Sequence, residues 1–383
     1  MGQLNPTRLD LARRRRGIKK TELAAALGVT PRMLNQYERG GTEASDYVIE
    51  RMADALGFPV DFLTGEDIEE PDPEGVSFRS LKSMTAAQQH QAIGSASLAV
   101  VFDDWLTEQF DRPDPDVPRY DSTAADPELA AAGVREAWGI GERRITNVVH
   151  LLERHGVRVF SLVEDCRAVD AFSFWRCGRP YVFVNAVKTA EHGRMDCAHE
   201  LGHLVLHSHG GPRGRVAEDD AQAFAAAFLM PARDVLATMR RGATVKQILR
   251  AKVRWGVSAM ALTHRLRRLE LLTEWEARRA YIQLGRLGYR DGEPDGAVRE
   301  SSQVLGKVFA SLRDEGWTRK TVGDKLGIPL DDVNRFTFGL LLTKGGGEVA
   351  PAGPTARPTL RLVDSGTDSH CLQAKLHNDC YQT

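Results

Sequence analysis

The chain has 383 residues, of which 42% are hydrophobic, and its formal net charge is −1. This length predicts two or three domains, and the apolar fraction is large enough to fill their cores. The near-zero charge excludes binding of nucleic acid through the overall field of the molecule, so such binding requires local clusters of charge. No apolar run reaches the length of a membrane span, and the first residues form no apolar signal region. The sequence therefore predicts a cytoplasmic protein without membrane contact.

Residues 1–65 predict a compact all-helical domain. Gly28 and Gly57 follow segments of helical periodicity, as expected of residues just past a helix end. Thr30 is a good N-cap, and Pro31 suits the first turn of the helix that follows it. Two short helices joined by a tight turn with glycine, inside such a unit, indicate a helix-turn-helix.

The segment from Leu9 to Gly65 resembles the Xre/lambda-repressor-like DNA-binding family. The resemblance rests on Glu22-Leu23-Ala24, Leu27-Gly28-Val29-Thr30 and Tyr37-Glu38-Arg39-Gly40. It implies that the helix opened by Thr30 enters the major groove of a double-stranded DNA operator, where such domains usually bind as homodimers. The implied contacts are Arg32, Asn35 and Gln36 to base edges, and Lys20, Arg14 and Arg15 to phosphates. The alternative is a protein-docking module, in which the arginines form a solvated helix face.

Residues 66–133 predict a connector without chemistry of its own. The segment 66–75 is acidic, contains two prolines and has few apolar residues, so it reads as an extended linker. Helical periodicity returns over 83–110 and again over 126–138. We expect this region to space the first domain from the next.

Residues 134–275 predict an α+β domain. Helical segments are expected at 147–155, 189–207 and from about 216, and strands at 157–160, 169–175 and 181–184. Arg176-Cys177-Gly178-Arg179 is a plausible hairpin turn between the last two strands. The order of elements predicts a small antiparallel sheet beside a helix.

The segment His199-Glu200-Leu201-Gly202-His203 fits the zincin signature His-Glu-x-x-His. Histidines four residues apart project from one face of a helix and can bind one Zn²⁺ ion. Glu200 can then take a proton from the attacking water. A catalytic site needs a third protein ligand, and Glu218, with Asp219 and Asp220 beside it, is the leading candidate on the next helix.

Together with 218–231, which ends in Leu229-Met230-Pro231, the motif resembles the ImmA/IrrE metallopeptidases. The resemblance implies that Glu218 is the third zinc ligand. It also implies that Gln222, where relatives usually carry Asn or Asp, supports a ligand histidine. Asp196 and His207 are expected to lie around the ligands without binding the metal. The predicted fold is therefore multidomain: an all-α helix-turn-helix head, an α+β zincin-like metallopeptidase domain and a helical C-terminal region.

The predicted function is a DNA-binding regulator with a zinc-dependent endopeptidase domain. Its expected substrate is a co-encoded repressor or other regulatory protein, or its own linker. In zincins the substrate lies extended beside an edge strand, here expected at 169–175 or 181–184. The alternatives are a transcription factor whose metal domain is only a sensor or scaffold, and a peptidase that uses the head to dock a partner.

The C-terminal third predicts a helical domain at 276–342 and a disordered tail at 343–383. Residues 317–328 repeat the rhythm of 18–29, which allows a second unit like a helix-turn-helix. Asp331 and Asp332 open its next helix, and their acidity favours contact with protein over DNA. The tail contains Gly345-Gly346-Gly347 and three prolines, a composition typical of disorder.

Overall fold

The computed structural model describes residues 2–72, 76–78, 85–120, 125–162, 169–185, 187–207, 214–290 and 292–340. The predicted tail at 343–383 lies outside these residues. The combination of a helical head with an α+β region confirms the predicted fold class. Among the described helices, none has the length and apolar character needed to cross a membrane.

The head consists of five helices: α1 (Pro6–Arg16), α2 (Lys20–Leu27), α3 (Pro31–Glu38), α4 (Asp46–Leu56) and α5 (Val60–Leu63). Thr30 starts α3 because its side chain accepts the backbone N–H of Met33. Gly28 ends α2 with φ at 68°, a left-handed conformation that glycine adopts without a steric penalty. These local signals produce the predicted helix-turn-helix.

The connector helix α6 (Ala86–Gln109) lies in a core that the head, the sheet and the C-terminal helices share. Gly94 lets α6 approach α1 closely, because a Cβ at this position would lie 3.2 Å from Cβ of Arg15. At the other end of α6, Phe102 packs against Phe160, Phe309 and Phe336. The expectation of a mere spacer is therefore wrong, since α6 is a central core element.

Four strands form one sheet in the order β1 (Ser77–Phe78), β3 (Ala171–Arg176), β4 (Arg179–Val184) and β2 (Arg158–Ser161). Strands β3 and β4 form the predicted antiparallel hairpin, with Arg176 opposite Arg179. Strand β2, however, runs parallel to β4, so the sheet is mixed and not purely antiparallel. The segments expected to supply a free edge, β3 and β4, occupy the middle of the sheet.

The helices from α7 to α14 form a second core together with residues of this sheet. They are α7 (Pro127–Ala137), α8 (Val148–Arg154), α9 (Ala190–Leu206), α10 (Arg215–Leu229), α11 (Ala232–Thr238), α12 (Val245–Trp255), α13 (Ala259–Arg268) and α14 (Glu274–Arg286). Gly202 brings α9 and α10 together, because a Cβ there would lie 3.1 Å from Cα of Ala221. This close approach packs the middle of α10 against α9.

The last helices, α15 (Gln303–Asp314), α16 (Arg319–Leu326) and α17 (Leu330–Phe336), return to the head. Asp332 of α17 forms buried ion pairs with Arg15 and with Arg16, the latter at 2.9 Å. Ser161 of β2 also donates a hydrogen bond to the carbonyl of Arg335. The protein contact expected of this acidic helix is thus made within the chain.

Glu153 of α8 accepts hydrogen bonds at the start of α15, from the Ser302 hydroxyl and the N–H groups of Gln303 and Val304. Burial raises the pKa of Glu153 from 4.5 to about 7. Between these values the folded protein holds a proton that the unfolded chain has lost, so stability must fall as the pH rises through this window.

We therefore expect Glu153→Gln to be more stable than the parent chain above pH 7, by roughly 3 kcal/mol at most. Glutamine keeps an acceptor for the two N–H groups and carries no charge to bury. The measurement is the free energy of unfolding in urea at pH 5 and pH 8 for both proteins. Parallel pH profiles for the two proteins would contradict the raised pKa.

Candidate metal centre

Helix α9 carries both histidines of the motif and is buried along most of its length. Thr189 starts the helix, since its side chain accepts the backbone N–H of His192. Strand β3 runs alongside, and Trp175 at its far end donates a hydrogen bond to the carbonyl of Leu204 at 3.2 Å. The rigid pairing of helix and sheet places His199 and His203 one turn apart on one face.

Three side chains converge at this face. The Nε2 atoms of His199 and His203 lie 3.1 Å apart, and Glu218 of α10 approaches them at 3.2 Å and 3.6 Å. Around a tetrahedral zinc ion with ligand bonds of about 2.0–2.1 Å, neighbouring ligand atoms lie roughly 3.3 Å apart. The three side chains therefore match the size and the chemistry of a zinc site.

Glu218 differs from its acidic neighbour Asp219 in its position and in its contacts. Burial alone would raise its pKa, but hydrogen bonds and charge from His199 and His203 outweigh burial and lower the pKa to about 2. Its carboxylate is thus ionised at neutral pH, as a metal ligand must be. Asp219, in contrast, is exposed and faces Arg215 at 3.7 Å. Of the three acidic residues that the sequence offered, the structure brings Glu218 to the histidines.

Glu200 is fully buried beside the histidine pair. Its Oε2 atom accepts hydrogen bonds from the hydroxyls of Ser173 at 2.7 Å and Ser77 at 2.8 Å. Its Oε1 atom has no hydrogen-bond partner among the described residues. Burial raises the pKa of Glu200, while His203 and the two serines oppose that rise. A carboxylate with one engaged and one available oxygen is suited to accept a proton from water.

Ser77 and Ser173 were not predicted as site residues. Ser173 lies on β3, and Ser77 lies on β1, 123 positions before Glu200 in the sequence. Neither serine belongs to a recognised motif, and a single serine in a strand gives no indication in the sequence that it lies at a functional site. Only the pairing of β1 with β3, in which these residues stand opposite each other, brings both hydroxyls to one carboxylate.

Three further residues were expected around the ligands. Nδ1 of His207 lies 3.0 Å from Nδ1 of His203, and burial lowers the pKa of His207 to about 4. A neutral His207 can accept a hydrogen bond from the Nδ1–H of His203 and so orient the ligand ring. Gln222 places its amide 3.9 Å from the sulfur of Met195. Asp196 is buried, with its carboxylate 3.6 Å from His192.

The residues expected to read base edges lie on α3. Arg32 is exposed, and Asn35 and Gln36 are half-buried. Lys20 is also accessible. Its ammonium forms an ion pair with Glu38 at 2.6 Å and donates a hydrogen bond to the side-chain amide oxygen of Asn35 at 3.0 Å. Thr30 is used as the N-cap of α3. The surface of α3 is thus available to a partner.

Two of the expected phosphate contacts have other partners. Arg15 is 1% exposed and is paired with Asp332, so its guanidinium cannot reach a phosphate in this fold. Arg14 is largely buried between Asp10 and Glu70, with nitrogen–oxygen distances of 2.7 Å and 2.5 Å. The run of arginines therefore does not form a free basic face, because α1 is covered by the connector and by α17.

Comparison with known families assigns two regions of the chain. Residues 9–63 match the family model of a helix-turn-helix domain, which covers α1 to α5. Residues 152–267 match the family model of the IrrE N-terminal-like domain, classed with the M78 peptidases. This second match contains both histidines and both glutamates of the candidate centre. Among curated proteins, none matches the chain.

Proposed function

Because the chain joins a helix-turn-helix domain to an IrrE N-terminal-like domain, we propose that it is a DNA-binding regulator that hydrolyses peptide bonds at a zinc centre. The observation that carries this proposal is the convergence of His199, His203 and Glu218 beside a buried Glu200. Two imidazoles and one carboxylate form the ligand set of several zinc peptidases. The peptidase family of the matched domain supports the same chemistry.

In this proposal His199, His203 and Glu218 hold the metal. Zinc, when bound, supplies Lewis acidity, which lowers the pKa of water and polarises a peptide carbonyl. His207 keeps the proton of His203 on Nδ1, so that Nε2 offers its lone pair to the metal. The ionised Glu218 supplies the negative charge that offsets the charge of the cation.

Glu200 acts as the proton carrier. Its Oε1 atom accepts a proton as water attacks the carbonyl carbon, and the same group then donates that proton to the departing amide nitrogen. The hydroxyl of Ser173 on β3 holds Oε2 and so fixes the orientation of the carboxylate. Burial raises the pKa of Glu200 and thereby makes the group a better base than an exposed glutamate.

The arrangement of β3 beside α9 supports a flexible protein segment as the substrate. Strand β3 runs along α9 past Glu200, and a peptide that paired with β3 would lie extended across the centre. Only a locally unfolded or flexible segment of a protein can adopt this form. We propose a regulatory protein, such as a co-encoded repressor, as the substrate in the cytoplasm, and a homodimer as the DNA-bound form. The direct test is incubation of the zinc-loaded chain with such regulators, followed by mass analysis of the products.

The DNA-binding part of the proposal predicts a strong effect of Arg32→Ala. Arg32 is exposed on α3, and loss of one bidentate contact to guanine costs about 1–3 kcal/mol. The measurement is operator affinity by fluorescence anisotropy at several salt concentrations. Arg240→Ala is the matched control, since it removes the same charge from an exposed site on the other domain. Equal affinities for both variants would contradict the assigned role of α3.

A further inference from the structure

The edge of β3 nearest to Glu200 is covered by a strand of the chain's own connector. Ser77 and Phe78 of β1 pair antiparallel with Ser173 and Phe172 of β3. Val76, just before this strand, is buried at 7% exposure. The Ser77 hydroxyl reaches the carboxylate of Glu200 at 2.8 Å. The connector thus contacts both the sheet edge and the group assigned as the base.

An extended peptide can add to β3 only along this same edge, because β4 covers the other side of β3. We infer that β1 is an intramolecular occupant of the peptide-binding edge and competes there with the substrate. The inference rests on the proposed function for the identity of the edge. In the state described here, the chain is closed to a substrate strand until β1 leaves.

Ser77 strengthens this competition through its side chain. Its hydroxyl and that of Ser173 both donate to Oε2 of Glu200, and the two hydroxyl oxygens lie 3.2 Å apart. A serine side chain therefore fills space beside the carboxylate, where a substrate or water would otherwise approach. Release of β1 would leave Ser173 to hold Oε2 and open this space.

The same connector is attached to the head. Glu70 is paired with Arg14 at 2.5 Å, and Asp67 accepts a hydrogen bond from Asn5 at 2.9 Å. Between them, Glu69 forms an ion pair with Arg176, at the end of β3, at 3.1 Å. The connector is thus held by the head and by β3 only a few residues before β1.

Because β1 pairs through only two residues, its removal should be possible without loss of the fold. Ser77→Pro removes a backbone N–H and forbids regular strand pairing, whereas Ser77→Ala keeps the backbone and removes only the hydroxyl. Comparing the two substitutions distinguishes the effect of strand pairing from the effect of the Ser77 hydroxyl. The binding probe is a fluorescently labelled peptide of residues 73–82, added to the full chain.

We expect the peptide to bind Ser77→Pro about a hundredfold more tightly than the parent chain or Ser77→Ala, since an attached strand has a millimolar effective concentration. Fluorescence polarisation measures this without any need for hydrolysis. In the parent chain, hydrogen exchange should show slow amides in Ser77 and Ser173. Fast exchange at both residues, or equal peptide affinity for all three proteins with unchanged zinc content, would overturn the inference.

Hydrolysis is measured separately on the same proteins. Faster cleavage of a labelled flexible peptide of unrelated sequence by Ser77→Pro than by the parent chain supports competition at an active centre. If the peptide of residues 73–82 binds but no cleavage occurs, the inference that β1 occupies the edge of β3 stands, and the proposed peptidase activity is contradicted. Cleavage of the parent chain's own connector on addition of zinc, seen as a loss of intact mass, would overturn the inference, because β1 would then be a substrate and not an occupant.

Discussion

Glu200→Gln is expected to lose peptide hydrolysis while keeping its zinc. Glutamine has the size of glutamate and retains an oxygen that can accept hydrogen bonds from the hydroxyls of Ser77 and Ser173. It cannot take a proton from water, and loss of such a group lowers rates by about 10²–10⁴-fold. The measurement is the cleavage rate of a regulator substrate together with the zinc content of the purified protein.

Glu142→Gln is the matched control, since it makes the same change at an exposed position. Full activity of Glu200→Gln would contradict the role assigned to the carboxylate. If the substitution changes neither cleavage nor gene regulation, the domain acts as a sensor or scaffold, which is the alternative interpretation of the sequence.

Glu218→Ala is expected to lose zinc, whereas Asp219→Ala is expected to keep it. Both residues lie near the start of α10, but only Glu218 approaches His199 and His203, and Asp219 is exposed. Loss of a ligand should weaken binding by more than the roughly 10–100-fold that follows loss of a supporting residue. Competition with a chelating dye measures both affinities. A similar loss in both variants would point to a general effect of acidity at the start of α10.

The helices of the head and the placement of two histidines on one face of α9 are the parts that the sequence predicts best. Their signals are short in range: Thr30 and Gly28 mark helix ends, and His199 and His203 are separated by one helical turn. Glu218 required more, because its place depends on how α10 packs against α9. The preference of zinc for a third ligand supplied that missing step.

Contacts between distant segments could not be predicted in the same way. The partnership of Ser77 with Glu200 and that of Arg15 with Asp332 join residues 123 and 317 positions apart. No periodicity or capping rule reports on such pairs. The parallel pairing of β2 with β4 was not predicted for a related reason. The residues of a strand do not determine which strand lies beside it or in which direction that strand runs.

The buried pair of Arg15 and Asp332 has a practical consequence for work on separate fragments. The two residues are each 1% exposed and lie near opposite ends of the described chain. An isolated head that ends after α5 would lack Asp332, the counter-ion of Arg15. A fragment that begins after the head would lack Arg15, the counter-ion of Asp332. In the intact chain, a substitution that removes one member of such a buried pair destabilises by about 3–5 kcal/mol. Truncated versions are thus poor stand-ins, and binding and hydrolysis should be studied on the intact polypeptide.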